Sequence, residues 1–322
     1  MRSLTMTSPP HIHNGSSARR IMIDMIIALI PALVAATILF GPQALVLAII
    51  TVLSAVLFEV VIKRIMKKDI SSVFDLSAVV TGMILAFSLP ASIPLGLAVI
   101  GAFVSIVIVK QLIGGKLGRN LINPALGGRL VAMRLVAVAM AFSLGNGYPA
   151  PLAWLQSTYY NGVDAIASAT PLQLLADGAA LPGVGELFLG IRPGAMGETA
   201  IIALLLGGAY LVWRRVISPI IPLVYVSTAI LFVTLAGQDP LIHLLSGSLV
   251  FVAIFMATDY STSPINKKGK VIFAIGCGLI TAWIRLYGGS TEGVTIALLV
   301  MNLLVPLIDR FTLPKAFGRK RS

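Results

Sequence analysis

Directly after Arg19-Arg20 the chain becomes apolar from Ile21 to Phe40, and nine further apolar runs follow it at short intervals. A run of about 20 apolar residues is long enough, as a helix, to cross the hydrocarbon core of a bilayer. The runs are Ile21 to Phe40, Ala44 to Ile62, Phe74 to Leu89, Ile93 to Val109, Pro124 to Leu144, Thr199 to Val212, Pro219 to Leu235, Leu241 to Ala257, Val271 to Leu286 and Val294 to Ile308. Of the 322 residues, 57% are hydrophobic and only 11% are charged. A soluble chain could neither hide that much apolar side chain nor cover its surface with so few charges. The expected fold class is all-α, a polytopic membrane helical bundle of about ten transmembrane helices.

The net charge of +12 would suggest nucleic acid in a soluble protein, but the basic residues sit in short clusters between the apolar runs. That is the pattern of membrane topology and excludes a nucleic-acid footprint; the surroundings expected are membrane lipid. With the amino terminus inside and ten spans, all of the 24 Lys and Arg residues fall on inner segments or inner helix ends except Arg192 and Arg285. Both termini are then cytoplasmic. The first apolar run is too long for a signal peptide and has no small-residue cleavage site after it. An odd number of spans per half allows a five-plus-five inverted repeat. Gly114-Gly115 after the fourth span and Gly288-Gly289 after the ninth faintly echo one another. The organisation expected is a cytoplasmic tail at 1–20, a first membrane half at 21–144, an external loop at 145–198, a second membrane half at 199–308 and a basic cytoplasmic tail at 309–322.

The external loop is long enough to be functional rather than a simple connection, and Tyr148, Trp154, Tyr159, Tyr160 and Phe188 argue that it packs on something. Within it, Thr170-Pro171 precedes a short apolar-periodic run ending at Asp177-Gly178, which reads as a capped helix. Thr170 has two readings: a plain N-cap, or a hydroxyl that accepts a phosphoester at a positive helix start. On the inner side, GGKLGRNLINPALGGR at 114–129 has the glycines, amides and basic residues to shape a pocket. Asp24 and Glu59 are acids within the first two runs and Asp259 lies at the inner end of the eighth; such acids are costly and often functional. Their plain reading is pairing, Asp24 with Arg20 and Glu59 with Lys63. His11, His13 and His243 lack the further ligands of a metal site, and the single cysteine, Cys277, excludes a disulfide or a cysteine-ligated cluster. No phosphate-cradling loop follows a strand, so an NADH site is not expected here.

SPPHIHNGSSARRIM at 8–22, GRNLINPALGGRL at 118–130, DAIASATPLQLL at 164–175, FMATDYSTSP at 255–264 and GGSTEGVTIALLVMNLLVPLIDR at 288–310 together resemble one family over nearly the whole chain. It contains the D subunit of the Rnf ferredoxin:NAD oxidoreductase and the B subunit of the sodium-translocating NADH:quinone reductase; the short tails look more like the former. The resemblance implies a redox subunit of an ion-translocating complex in the bacterial inner (cytoplasmic) membrane, not a complete enzyme alone. It implies FMN bound covalently through a phosphoester to Thr170, attached by a flavin transferase, although Ala167 and Ser168 stand where the family pattern has a hydroxyl residue and a glycine. It further implies cation uptake at Glu59 and Asp259, a second, noncovalent riboflavin sought first in the 118–129 stretch, and neighbours bearing another covalent FMN and iron–sulfur clusters. The rival classes are a stand-alone secondary transporter and a scaffold subunit without cofactor. A fluorescent covalent flavin on a denaturing gel separates the first reading from both.

Overall fold

The computed structural model describes residues 18–68, 71–114, 120–141, 152, 170–288 and 293–312. Each of the ten apolar runs is helical there. The elements are α1 (Ala18–Phe40), α2 (Pro42–Ile65), α3 (Ser77–Phe87), α4 (Leu95–Ile113), α5 (Pro124–Ala141), α6 (Pro171–Ala176), α7 (Val184–Leu189), α8 (Met196–Thr199), α9 (Ile201–Trp213), α10 (Ile220–Leu235), α11 (Pro240–Leu245), α12 (Leu249–Phe251, running on to Met256), α13 (Lys267–Tyr287) and α14 (Gly293–Thr312). Five of them, α1, α2, α4, α13 and α14, are long and apolar enough to cross a membrane. No strand occurs among the described residues.

The helices are sorted inside out relative to a soluble protein. On α1 the large branched residues Ile23, Ile27, Ile30, Val34 and Ile38 face outward at helical spacing, whereas Ala28, Ala32 and Ala36 are buried. Lipid is as apolar as isoleucine, so nothing drives the large side chains inward, while small residues let helix backbones approach and gain packing. Gly207 on α9 lies against the Ala28 carbonyl of α1, and Gly128 on α5 against Gly101 and Ser105 of α4, so close that a Cβ at either glycine would collide. The protein is an all-α multi-pass membrane protein. Its packing repeats between halves: α2 packs on α3 and α4 as α10 packs on α11 and α13, α4 on α5 as α13 on α14, and α1 meets α9 across the halves. Gly114 and Gly288 each follow the last residue of a helix, α4 and α13; Gly115 and Gly289 lie outside the described residues.

Two expected spans are interrupted. The run from Phe74 to Leu89 is a short turn at Ser71–Asp75, a left-handed Leu76 (φ 66°) and then α3. Asp75 Oδ1 accepts from Ser77 N at 2.8 Å, a local turn that competes with continuous helix. The run from Leu241 to Ala257 breaks at Ser246-Gly247-Ser248, where Gly247 is left-handed (φ 67°). The carbonyls freed by that break are not left bare in an apolar medium. Arg285 of α13 donates to His243 O at 2.6 Å and to Ser246 O at 3.1 Å. Each of these two expected spans is thus a short piece, a left-handed residue and a buried helix.

Residues 194–200, at the end of the segment read as an external loop, are buried rather than spread on the surface. Met196 N donates to Leu89 O at 3.2 Å, and a Cβ at Gly197 would stand 2.9 Å from Phe87. This return into the bundle is tied by Arg129 of α5, whose guanidinium meets Glu198 Oε1 at 3.2 Å, and by Arg192, which donates to the Glu198 carbonyl.

Candidate functional site

The C-terminal ends of α2 and α4, the N-terminal ends of α1, α3 and α5 and the end of α12 enclose a cavity of about 230 Å³. Glu59 and Asp259, separated by 200 positions in sequence, both line it, together with Asn120 and Asn123 from the glycine-rich inner stretch. The part of that stretch at 115–119 lies outside the described residues. Glu59 is fully buried and held from both sides: Lys63 Nζ is 2.6 Å from Oε1, and Lys110 Nζ is 2.8 Å from Oε2. Lys110 also donates to Ser77 Oγ at 2.7 Å, and Lys68 reaches Gln111 Oε1 at 3.3 Å. The pairing of Glu59 with Lys63 is the one expected from a four-residue helical spacing; Lys110 is an addition the sequence did not signal. Lys110 and Gln111 sit on a wide, π-type stretch of α4, Val104–Ile113, which turns them toward the cavity.

Asp259 has no lysine at salt-bridge distance among the described residues. Its carboxylate accepts from Ser261 N at 3.2 Å, Ser261 Oγ at 2.9 Å, Thr262 Oγ1 at 3.3 Å and Asn123 Nδ2 at 3.5 Å. Loss of hydration in the cavity outweighs these hydrogen bonds and holds the carboxyl above its ordinary range. Asp24, expected to face Arg20, finds its partners on the other half of the molecule. Tyr210 Oη donates to Oδ1 at 2.9 Å, and Arg214 approaches the two oxygens at 3.3 and 3.4 Å. The pairing reading holds in kind, with a cation that helix periodicity had no means to reveal.

Thr170 stands at the other end of the bundle. It caps α6: Gln173 N donates to Thr170 Oγ1 at 3.4 Å, and Thr170 N donates to Gln173 Oε1 at 2.9 Å. This reciprocal pair is the capping box that the Thr-Pro start suggested in part. The hydroxyl is half-buried beside an exposed stretch at 177–180. Leu172 of α6 packs over the break in the eighth span, 3.0 Å from where a Gly247 Cβ would stand. The motif residues Asp164 to Ala169, and Tyr148, Trp154, Tyr159 and Tyr160, lie outside the described residues, as do His11 and His13. His243 is buried on α11 and Cys277 on α13. No group of three or more metal-ligating side chains occurs among the described residues.

The sequence model of the NQR2, RnfD, RnfE family matches residues 5–318. The chain is 45% identical to the D subunit of the Na(+)-translocating ferredoxin:NAD(+) oxidoreductase complex of Acetobacterium woodii, over 98% of this chain and 96% of that protein. It is 40% identical to the D subunit of the proton-translocating ferredoxin:NAD(+) oxidoreductase complex of Clostridium ljungdahlii, over 98% and 97%. It is 39% identical to the D subunit of the ion-translocating oxidoreductase complex of Stutzerimonas stutzeri, over 94% and 93%.

Proposed function

The chain belongs to the NQR2, RnfD, RnfE family, and on that premise we propose that it is the D-type membrane subunit of an Rnf-type electron transport complex, which couples electron transfer to ion translocation. The observation that carries this is the near full-length similarity to subunits of that name. The subunit works in the inner membrane with both termini cytoplasmic and Thr170 outside, beside iron–sulfur subunits and a second subunit bearing covalent FMN.

Its own covalent FMN is held as a phosphoester on Thr170 Oγ1, placed there by a flavin transferase. Two features fit the group: an oxygen at a helix start and neighbours exposed enough to admit a transferase. Bound there, the flavin supplies electron transfer; the protein fixes where it sits. Pro171 sets the first helical residue and Leu172 anchors the helix on the bundle.

The inner cavity is the place for a noncovalent riboflavin, because Asn120, Asn123 and Gln111 offer amides beside apolar Ile84, Met22 and Phe255. The ion pathway begins in the same cavity. Asp259 is the carboxylate that can take a cation directly, and Glu59 acts through the lysines that already balance its charge. The names of two relatives specify sodium in one and protons in the other, so both ions belong in the assay.

The test is Thr170→Val in the chain made with its transferase. The variant keeps the branched shape and loses the oxygen; losing the cap costs only about 0.5–2 kcal/mol. The bundle should insert while the fluorescent band disappears from a denaturing gel. Mass spectrometry of the wild-type 164–175 peptide should show the added FMN, and an unmodified peptide with flavin elsewhere would refute the assignment.

A further inference from the structure

The segment that follows Asp259 is laid along α14 and tied to it at three heights. Thr312 O accepts from Asn266 Nδ2 at 2.8 Å, and Asp309 Oδ1 accepts from Ile265 N at 3.3 Å. The third tie is fully buried. Asn302 is 1% exposed, and with its amide oriented by the donors and acceptors around it, it donates to the Thr262 carbonyl and accepts from Asn123 N, both at 3.2 Å. A buried amide among apolar helices is costly unless both of its ends are used. Here both are, one on the segment between α12 and α13 and one at the start of α5.

The two residues that Asn302 grips are those that bring side chains to one oxygen of Asp259 from different elements. Thr262 Oγ1 donates to Asp259 Oδ2 at 3.3 Å and Asn123 Nδ2 to the same oxygen at 3.5 Å. The other end of the Asn123 amide is occupied, since its Oδ1 caps α5 by accepting from Ala125 N at 3.0 Å and Leu126 N at 3.3 Å. Thr262 N donates to Asp259 O at 3.2 Å, so a shift of the Thr262 backbone carries the aspartate with it. Pro306, one turn after Asn302, has no N–H for the Asn302 carbonyl. The helix is therefore least constrained by its own hydrogen bonds where the tie is made.

We propose that Asn302 is the positioning residue of the Asp259 ion site, holding Asn123 and Thr262 so that the oxygens around the carboxylate keep the spacing a desolvated cation needs. This rests on Asp259 being the ion carboxylate. The oxygens such a cation would share are those of Asp259, Ser261 and Thr262. The tie fixes their separation, and with it which ion fits, without entering the site.

Asn302→Leu nearly keeps the volume and removes both polar ends. Asn302→Ser keeps a hydroxyl too short to span both partners and is the milder variant where leucine prevents assembly. In the assembled complex, the concentration of the coupling ion for half-maximal turnover should shift about tenfold in Asn302→Leu, the low end of what outer partners of an ion site carry. The shift is upward for sodium, which loses its fitted oxygens, and downward for protons, which a carboxylate deprived of donors holds harder. Turnover at saturating ion should stay within about twofold, because a change confined to ion binding leaves the saturated rate alone. Asn302→Ser should move the same way by less. The other charged groups of the cavity, Glu59, Lys63, Lys68, Asp75 and Lys110, are the same in every variant. Two controls separate this role from loose packing. Asp309→Ala frees the same segment at Ile265 and should leave the ion titration at wild type. In an Asp259→Asn chain, Asn302→Leu should add no further shift. The positioning role alone is overturned by a shift in Asp259→Asn with a wild-type titration in every Asn302 variant that assembles. It is equally overturned by an Asn302 shift that persists in full without the Asp259 carboxylate or is matched by Asp309→Ala. A wild-type titration in Asp259→Asn overturns the ion reading, and the positioning role with it.

Discussion

At the scale of single residues, the two candidate carboxylates of the inner cavity differ in what surrounds them. Asp259 is held by hydroxyls and an amide and keeps its proton to higher pH than an ordinary aspartate. In the proposed ion pathway, protons and cations compete for the same oxygens. As pH falls through this raised value the site loses its charge, so the ion concentration for half-maximal turnover should rise with acidity, beginning above the usual carboxylate range. Asp259→Asn should flatten that pH dependence and raise the half-maximal ion concentration about tenfold, a change worth about 1.4 kcal/mol. An unchanged ion titration in the assembled complex would leave Asp259 with a structural role. Glu59 is different, because its removal strands Lys63 and Lys110 in a buried site. Glu59→Gln should destabilise the protein by about 3–5 kcal/mol, and Lys63→Met in the same chain should recover part of the loss in a thermal unfolding assay. Periodicity along one helix is enough to pair Glu59 with Lys63. It carries no information on Lys110, or on Arg214 as the partner of Asp24 across 190 positions, because those contacts are made by tertiary packing.

At the scale of elements, hydropathy reports where chain enters lipid-like surroundings but is nearly blind to whether the helix inside is continuous. The eighth run is apolar on both sides of Ser246-Gly247-Ser248, and small residues of that kind occur in unbroken membrane helices as well. What breaks the helix is the left-handed glycine together with Arg285, which supplies donors for the released carbonyls. The break also forms the surface on which α6 rests. A methyl group at Gly247 would be strained in its backbone and would stand 2.9 Å from the Arg285 guanidinium and 3.0 Å from Leu172. Gly247→Ala should therefore cost about 1–2 kcal/mol from the left-handed backbone alone and lift α6 from its seat. External protease should cut the 170–190 segment faster in that variant than in wild type. Gly237→Ala, which is equally left-handed but has open space around its Cβ position, provides the control that separates backbone strain from the lost contact.

At the scale of the whole molecule, the two polar regions lie at opposite ends of one helix. Lys267 begins α13 just after the cavity residues Asp259 and Ser261, and Arg285 closes it at the end where α11 and α6 pack. Eighteen helical steps separate the two cations, a rise of about 27 Å, close to the thickness of the hydrocarbon core. The helix is uninterrupted and long enough to cross a membrane, and the proposed orientation puts the end crowded by Lys267, Lys268 and Lys270 inside and the end with a single arginine outside. If the proposed reading holds, an inner cavity for the ion and a flavin on Thr170 stand at opposite ends of this helix, and the two halves of the coupled process communicate through the packed interior rather than by direct contact. This arrangement fails if the orientation is wrong. Single cysteines at Lys67, Lys268 and Asp177, introduced with Cys277→Ser, should divide cleanly under an impermeant thiol reagent applied to intact cells. Only position 177 should react before the membrane is opened, and all three afterwards. External labelling at 268 would reverse α13 and move the cavity and the proposed attachment point Thr170 to the opposite compartments.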